Sequence, residues 1–364
     1  NMASNMPVVQ GYAMTNSNAA PMAAEGTNYG MGSDGDTFNG QKGEHQPKKF
    51  NDVFFAVLFY LHLGAMAILL PISMNANGGG GDGAGSLGQI IYFVTVCGIF
   101  AVGVTTISLG FMMQYAKQLV KLALFFQIGV SLAMAIFGLM AGSMMMAGLC
   151  FVSFAFSICY TMAVWGRIPF AAANLNTALT AVRANLGLSV VAYTFLIIAA
   201  IFSMAWTTIS NNILATYPGM AFLLFLSYFW THQVLKNTIH VTTAGVIGTW
   251  WFAPHEASSC CSRAIGDSFG RATTYSFGSI CFGSLIVAVV QALRHLNHHL
   301  RGNEDAQIVV CIIDCFLACI EGIIEYFNKW AYVYVGLYGY SYLDAGRNVM
   351  TLVSSVLCAG VSVR

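Results

Sequence analysis

Eight long apolar stretches constrain the fold of this chain more than any other feature of its sequence. A helix needs roughly 20 apolar residues to cross a bilayer core of about 30 Å. The eight stretches cover residues 53–72, 88–111, 120–140, 144–165, 188–208, 217–237, 273–294 and 308–327. Helices satisfy their own backbone hydrogen bonds in lipid, and the alternating strands of a membrane barrel are absent from the sequence. The sequence therefore predicts an all-α, polytopic transmembrane helix bundle.

The low charge content is consistent with a lipid environment. Only 8% of the residues are charged and 57% are hydrophobic, whereas a soluble domain carries about 25% charged residues. The formal net charge is +1, and binding to nucleic acid requires many clustered Lys and Arg side chains. We therefore expect membrane lipid as a partner and no nucleic acid.

Composition divides the chain into three parts. Residues 1–50 are rich in Asn, Gly, Ala, Met and Ser without apolar periodicity, which predicts a disordered tail. Residues 51–352 form the predicted transmembrane domain, and residues 353–364 form an atypical C-terminal end. Lys48 and Lys49 directly precede the first apolar stretch, so the positive-inside rule places the tail in the cytoplasm.

Loops that contain Lys or Arg alternate along the chain with loops that contain neither, as expected for helices that cross repeatedly. The loop at 295–307 is an exception, because it is predicted to be external and yet contains Arg301. The stretch that follows carries Asp314, Glu321 and Glu325, which lie within about 40° of one another on a helix. A spanning helix whose acids face the bundle is preferred here, and an amphipathic helix on the membrane surface is the alternative.

Signatures of enzymes were considered and are incomplete. Residues 295–299 (His-Leu-Asn-His-His) match one histidine box of membrane fatty-acid desaturases, but the other histidines form no second box. Paired acids of the alcohol phosphotransferase type, a Gly-x-Ser-x-Gly elbow and a Walker loop are absent from the sequence. The sequence thus predicts a protein that is not an enzyme and that uses no metal, nucleotide or covalent cofactor. An integral membrane enzyme of lipid metabolism and a non-transporting scaffold or channel are the alternatives.

Several motifs, in the same order along the chain, resemble the choline transporter-like family in its fungal and algal form. The likeness covers roughly residues 50–352, and residues 230–245 are its most specific part. The motifs are residues 49–53, 167–171, 229–237, 240–246, 249–252, 275–285, 325–328, 331–332 and 344–348. The family implies ten spanning helices with both termini in the cytoplasm, so about eight of an expected ten are present. A member truncated at its C-terminus is therefore expected.

The resemblance implies a transporter that moves choline or a related small organic cation by alternating access. The plasma membrane is the expected location, with an organelle membrane as the alternative. A quaternary ammonium has no N–H donor and is bound by aromatic faces. The sixth stretch mixes aromatic and polar residues at a depth where polar groups are costly unless they face a cavity. Alternatively, its polar face has already left the bilayer and meets water.

These considerations select two groups of candidate residues. The candidates for substrate binding are Trp230, Gln233, Asn237, Trp206 and Tyr228. The candidates for ion or proton coupling are Asp314, Glu321 and Glu325.

Overall fold

The computed structural model describes residues 48–77, 83–299 and 307–361, all of which belong to one compact unit, Gln41–Arg364. The described residues are almost entirely helical and contain no β-strand, which confirms the all-α prediction. The helices are α1 (Val53–Asn77), α2 (Gly83–Met140), α3 (Met144–Val164), α4 (Ile168–Ala184), α5 (Gly187–Thr216), α6 (Ala221–Phe252), α7 (Arg263–Thr273), α8 (Phe277–His299), α9 (Gln307–Tyr338) and α10 (Tyr342–Val361).

Six segments among the described residues are long and apolar enough to cross a membrane. They are Val53–Asn75, Thr95–Tyr115, Gln118–Met140, Met144–Ala184, Gly187–Thr216 and Phe277–Asn297. Together they confirm a multi-pass membrane bundle. The predicted spans 217–237 and 308–327 lie in α6 and α9, which are each 32 residues long but are not among these six. Crossing of the bilayer by α6 and α9 stays a prediction.

The segments that separate the predicted spans are more helical than the sequence analysis assumed. The loop expected at 112–119 lies within α2, where only Tyr115 has a non-helical backbone (φ −127°, ψ 32°). Segment 166–187, which joins two predicted spans and carries Arg167 and Arg183, contains α4, which begins with a proline in its first turn. Lys and Arg indicate the side of the membrane on which a segment lies and do not decide whether it is helical.

Helix α6 occupies the centre of the bundle and packs against α5, α7, α8 and α9. Small residues allow the closest approaches. Gly336 of α9 lies so near α6 that an added Cβ would be 2.6 Å from the carbonyl oxygen of Val241 and 3.3 Å from the backbone nitrogen of Gly245. Lipid tails are as apolar as Leu side chains, so packing of small residues and interhelical hydrogen bonds hold such bundles together.

The entry to α1 links three helices at one end of the bundle. Asp52 has a left-handed backbone (φ 52°), and its Oδ2 accepts hydrogen bonds from Ser279 Oγ (2.6 Å) and from the backbone N–H of Tyr342 (3.1 Å). Asn51 Nδ2 donates to the carbonyl oxygen of Gly339 at 2.8 Å. The start of α1 is thereby fixed against α8 and against the turn between α9 and α10.

Candidate functional site

A chain of polar side chains runs through the interface of α6, α8 and α9. Gln233 Nε2 of α6 donates to Gln291 Oε1 of α8 at 3.1 Å, and Gln291 Nε2 donates to Glu321 Oε1 of α9 at 2.8 Å. Arg294 of α8 continues the chain, because its guanidinium contacts Glu321 Oε2 at 3.0 Å and Asp314 Oδ1 at 2.9 Å. We call Gln233, Gln291, Arg294, Asp314 and Glu321 the polar relay.

The polar relay holds one cation between two carboxylates, so its formal charge is −1 when all three groups are ionised. The side chains of Asp314 and Glu321 are only 17% and 15% exposed, and that of Arg294 is 38% exposed. Carboxylates at such burial need a partner, since an uncompensated charge in a bundle is costly. The third candidate acid, Glu325, pairs with Lys236 at 3.7 Å in a more exposed position.

A second polar cluster surrounds Asn237, one helical turn beyond Gln233. Asn237 Nδ2 donates to Ser284 Oγ at 2.9 Å and approaches the hydroxyl of Tyr332 at 3.4 Å. The Tyr332 hydroxyl donates to the carbonyl oxygen of Ile280 at 3.2 Å. Asn237, Ser284 and Tyr332 are all buried, with Tyr332 completely so. Satisfied networks of this kind rigidify a core.

Gly283 provides the space for two tyrosines next to this cluster. A Cβ at Gly283 would clash with the ring of Tyr342 and with the hydroxyl of Tyr332. The carbonyl oxygen of Gly283 accepts a hydrogen bond from Asn328 Nδ2 at 3.2 Å, and Asn328 Oδ1 accepts one from the Tyr342 hydroxyl. The glycine therefore places α8, α9 and α10 in contact.

Trp230 lies between α1 and α8. Its indole N–H donates to the carbonyl oxygen of Cys281 at 3.0 Å, and its ring packs edge-on against Phe59 with centroids 5.1 Å apart. His62 stands 5.4 Å from the same ring and contacts Ser227 Oγ through Nε2 at 2.7 Å. The other ring nitrogen of His62, Nδ1, is buried without a hydrogen-bond partner among the described residues.

Trp206 and Tyr228 form an aromatic group on a different side of α6, where α5 packs. Their ring centroids are 4.8 Å apart, and Tyr228 lies 4.4 Å from the ring of His232. The Trp206 indole donates to the carbonyl oxygen of Leu224 at 2.8 Å. His232 Nε2 contacts Ser203 Oγ at 3.0 Å. These contacts fix the planes of the rings.

The structure thus distributes the five predicted substrate-binding residues over four places. Gln233 belongs to the polar relay, and Asn237 belongs to the second polar cluster, with Ser284 and Tyr332. Trp230 lies at the interface with α1 and α8. Trp206 and Tyr228 share the α5–α6 interface. The side chain of Lys236, on the polar face of α6, is 64% exposed, and contact of this face with water stays a prediction.

Sequence reasoning missed Gln291 and Arg294 as site residues. Arg294 borders the predicted loop at 295–307, so in the sequence its charge bears only on the orientation of the chain in the membrane. A usable signal was present. Gln291 and Arg294 are three residues apart in α8 and follow an apolar run, residues 285–290, and this spacing places both on one face.

The histidine motif at 295–299 lies at the end of α8, and the side chains of His298 and His299 are outside the described residues. His295 contacts the ring of Phe225, with centroids 4.3 Å apart. In the part of the chain that the structure describes, no three His, Cys, Asp or Glu side chains are grouped so that they could hold a metal ion.

The fold and the polar relay define the chain as a polytopic α-helical membrane protein with a charged interface inside its bundle. A family model described as "Plasma-membrane choline transporter" matches residues 148–363. This chain belongs to that choline transporter family, which confirms the resemblance found in the sequence.

Curated relatives match over most of the chain. A CTL-like protein of Dictyostelium discoideum is 25% identical over 333 residues, covering 87% of this chain and 60% of that protein. The Protein PNS1 of Mycosarcoma maydis is 29% identical, covering 92% and 68%. The Protein PNS1 of Eremothecium gossypii is 30% identical, covering 82% and 61%. The chain therefore spans between 60% and 68% of the length of these relatives.

Proposed function

We propose that this protein is a membrane transporter for choline or a related small organic cation. Membership of the family, through a model that matches residues 148–363, is the observation that carries the proposal. The expected location is the plasma membrane, with the N-terminus in the cytoplasm. The description of the family model supports the first expectation, and Lys48 and Lys49 before α1 support the second.

The polar relay has the charge that a site for an organic cation requires. It brings two carboxylates, Asp314 and Glu321, to the interface of α6, α8 and α9, and carboxylates attract a cation. The side chains of Gln291 and Arg294 hold Glu321 in place by one hydrogen bond each. A substrate cation that approaches Glu321 would compete with Arg294 for the carboxylate.

Aromatic side chains supply the second requirement. Choline carries three N-methyl groups and no N–H donor, so the faces of Trp and Tyr rings bind it better than hydrogen-bond acceptors do. Trp206 and Tyr228 are held together at 4.8 Å on the α5–α6 side, and Trp230 is held on the α1 side. These rings contact one another or neighbouring rings, so binding between them requires that α5 or α1 moves relative to α6.

Two groups of contacts around α6 could open and stay closed in turn during alternating access. The polar relay ties α6, α8 and α9 together, and the Asn237 cluster ties α6 to α8 and α9 one turn away. We propose that the relay opens in one half of the cycle while the buried Asn237 cluster stays closed. The acids Asp314 and Glu321 are the groups that an ion or a proton would neutralise in that step, with Glu325 as a more exposed third candidate.

Uptake of radiolabelled choline by a host that lacks choline uptake tests this proposal. Cells expressing the chain should accumulate label above cells with an empty vector, and excess unlabelled choline should suppress it. Trp206→Leu removes a ring from the α5–α6 group and should lower uptake. Trp251→Leu is the matched control, because Trp251 is 50% exposed at the end of α6. Failure of the surface-expressed chain to take up choline would contradict the proposal.

Chromatography of the accumulated label separates transport from the enzyme alternative. A transporter should deliver choline chemically unchanged in the first seconds of uptake, before cellular kinases act. Proteoliposomes that contain only the purified chain remove those kinases. Label recovered from their lumen as a product other than choline would assign an enzymatic activity instead.

A further inference from the structure

One cavity in the described part of the chain lies outside the α6–α8–α9 interface. It has a volume of about 850 Å³, lies between α2, α3 and the start of α4, and opens to the outside of the bundle. One residue at its edge is Arg167, which belongs to a motif at 167–171 for which the proposed transport function gives no role. The chemistry of its lining indicates which class of ligand this cavity could bind.

The cavity offers one cationic side chain and two further side chains that can donate a hydrogen bond to a ligand. Arg167 is the charged residue of the lining, and the described lining residues include no Asp or Glu. The hydroxyls of Ser157 and Thr161 donate to the preceding helical turn, each at 2.8 Å. The guanidinium of Arg167, the hydroxyl of Tyr160 and the amide of Gln127 have no hydrogen-bond partner among the described residues. A ligand that carries acceptors and a negative charge matches this set.

The position of Arg167 corresponds to the level of lipid headgroups. Helix α3 has 21 residues, which at about 1.5 Å per residue is the thickness of a bilayer core, and Arg167 follows its last turn. At the same level Lys121 stacks over the exposed ring of Trp165, 5.7 Å from its centroid. Basic and aromatic residues together are typical of the membrane interface.

From the membrane surface inwards, the lining changes from charged to polar to apolar. A phospholipid changes in the same order, from its phosphate to its ester groups to its acyl chains. Tyr160 precedes Arg167 by seven residues, so it lies roughly 10 Å deeper in the bilayer. Gln127 also lines the cavity, and Leu124 and Phe156 provide its apolar wall. A phospholipid in this cavity would place its phosphate at the Arg167 guanidinium and its ester carbonyls at the hydroxyl of Tyr160 and the amide of Gln127. One of its acyl chains would lie along the apolar wall.

We infer that this cavity binds an anionic phospholipid, with its phosphate on Arg167 and its ester carbonyls near Tyr160 and Gln127. A free organic cation is a poor match, because Arg167 repels it and the lining supplies no carboxylate. The lipid site is separate from the polar relay and does not depend on the identity of the transported solute. It assigns Arg167 a role in lipid recognition.

Native mass spectrometry of the detergent-purified chain, titrated with phosphatidylglycerol or with phosphatidylcholine of the same acyl chains, tests this inference. The unmodified chain should bind phosphatidylglycerol more tightly. Arg167→Gln should weaken that binding at least about tenfold, the value expected for the loss of a charge-assisted contact. Arg183→Gln is the matched control, since Arg183 lies near the end of α4, outside the cavity lining.

A second variant tests the cavity without changing charge. Ala123 lines the cavity, so Ala123→Phe fills it and should reduce binding of both lipids while Arg167 is intact. Unchanged elution on size exclusion identifies variants that are folded. Equal affinities of the Arg167→Gln and Arg183→Gln proteins for phosphatidylglycerol would overturn the inference, and so would equal binding of the two lipids by the unmodified chain.

Discussion

Arg294 is the residue on which the polar relay depends. It forms ion pairs with both Asp314 and Glu321, at 2.9 and 3.0 Å, from the second half of α8. A single guanidinium serves two acids because its planar fork directs separate N–H groups at separate carboxylates. A lysine at this position has one compact ammonium group and cannot reproduce that geometry.

We expect Arg294→Gln to lower the thermal midpoint of the detergent-purified chain, because Asp314 and Glu321 each lose a close ion pair, at 2.9 and 3.0 Å. The loss should correspond to roughly 1–3 kcal/mol of unfolding free energy, reduced by the partial exposure of Arg294. Adding Glu321→Gln to this variant should recover part of the loss. A single variant as stable as the unmodified chain would show that the ion pairs contribute nothing.

Glu321 and Glu325 offer a matched comparison for transport. Glu321→Gln keeps the shape and one acceptor but removes the charge that accepts from Gln291 and Arg294, so choline uptake should fall strongly. Glu325 pairs with the exposed Lys236 at 3.7 Å, and surface pairs contribute little. Glu325→Gln should therefore keep most of the uptake. Equal losses of choline uptake in both variants, at equal surface levels, would contradict a specific role of the Glu321 carboxylate.

At the scale of the helices, contacts through small residues determine how α8, α9 and α10 meet. Gly283 leaves room for the rings of Tyr332 and Tyr342, and Gly278 lies directly against the backbone of Asn51 and Asp52. Both glycines are in a motif, 275–285, that the sequence analysis identified from family resemblance. Resemblance marked the segment, but the neighbours of each glycine became visible only in the packed bundle.

We expect Gly283→Ala to destabilise the bundle, because the new methyl group meets two tyrosine rings that are themselves fixed by hydrogen bonds. Overpacking of this kind typically costs about 1–3 kcal/mol. Gly322→Ala in α9 is the control, since a Cβ there meets nothing within 4 Å. The thermal midpoints of the two purified variants should differ, with only the first lowered. Identical midpoints would show that the tyrosines move aside freely.

At the scale of the whole molecule, the proposed orientation predicts which thiols are reached from each side. Cys260 and Cys261 are exposed in the connection between α6 and α7. The positive-inside rule places that connection in the cytoplasm, because Arg263 and Arg271 follow it. The pair therefore reports on the orientation of the entire bundle.

A membrane-impermeant maleimide should label Cys260 and Cys261 only after the plasma membrane of intact cells is permeabilised. Replacing both with serine should remove most of the labelling, because exposed thiols such as Cys97 and Cys159 lie in segments apolar enough to cross the membrane, where the reagent does not enter. Labelling of the pair in unpermeabilised cells would reverse the orientation proposed for the chain.

Length and hydropathy were enough to predict the helical membrane bundle, because the backbone in lipid has few other ways to satisfy its hydrogen bonds. They were not enough to predict the helices between the spans. Helix α4 falls in segment 166–187, which joins two predicted spans, and the predicted loop at 112–119 is helical except at Tyr115. Hydropathy reports where a segment lies, whereas local backbone geometry decides whether it is helical.

The sequence by itself determined that this chain crosses a membrane as helices and belongs to the choline transporter family, since both follow from residues in order along the chain. Only the tertiary structure decided that Gln233 and Glu321 share one interface, joined by Gln291 and Arg294. These four residues come from three helices, and Gln233 and Glu321 are far apart in the chain. Their meeting depends on how helices rotate and pack, which no local pattern of residues encodes.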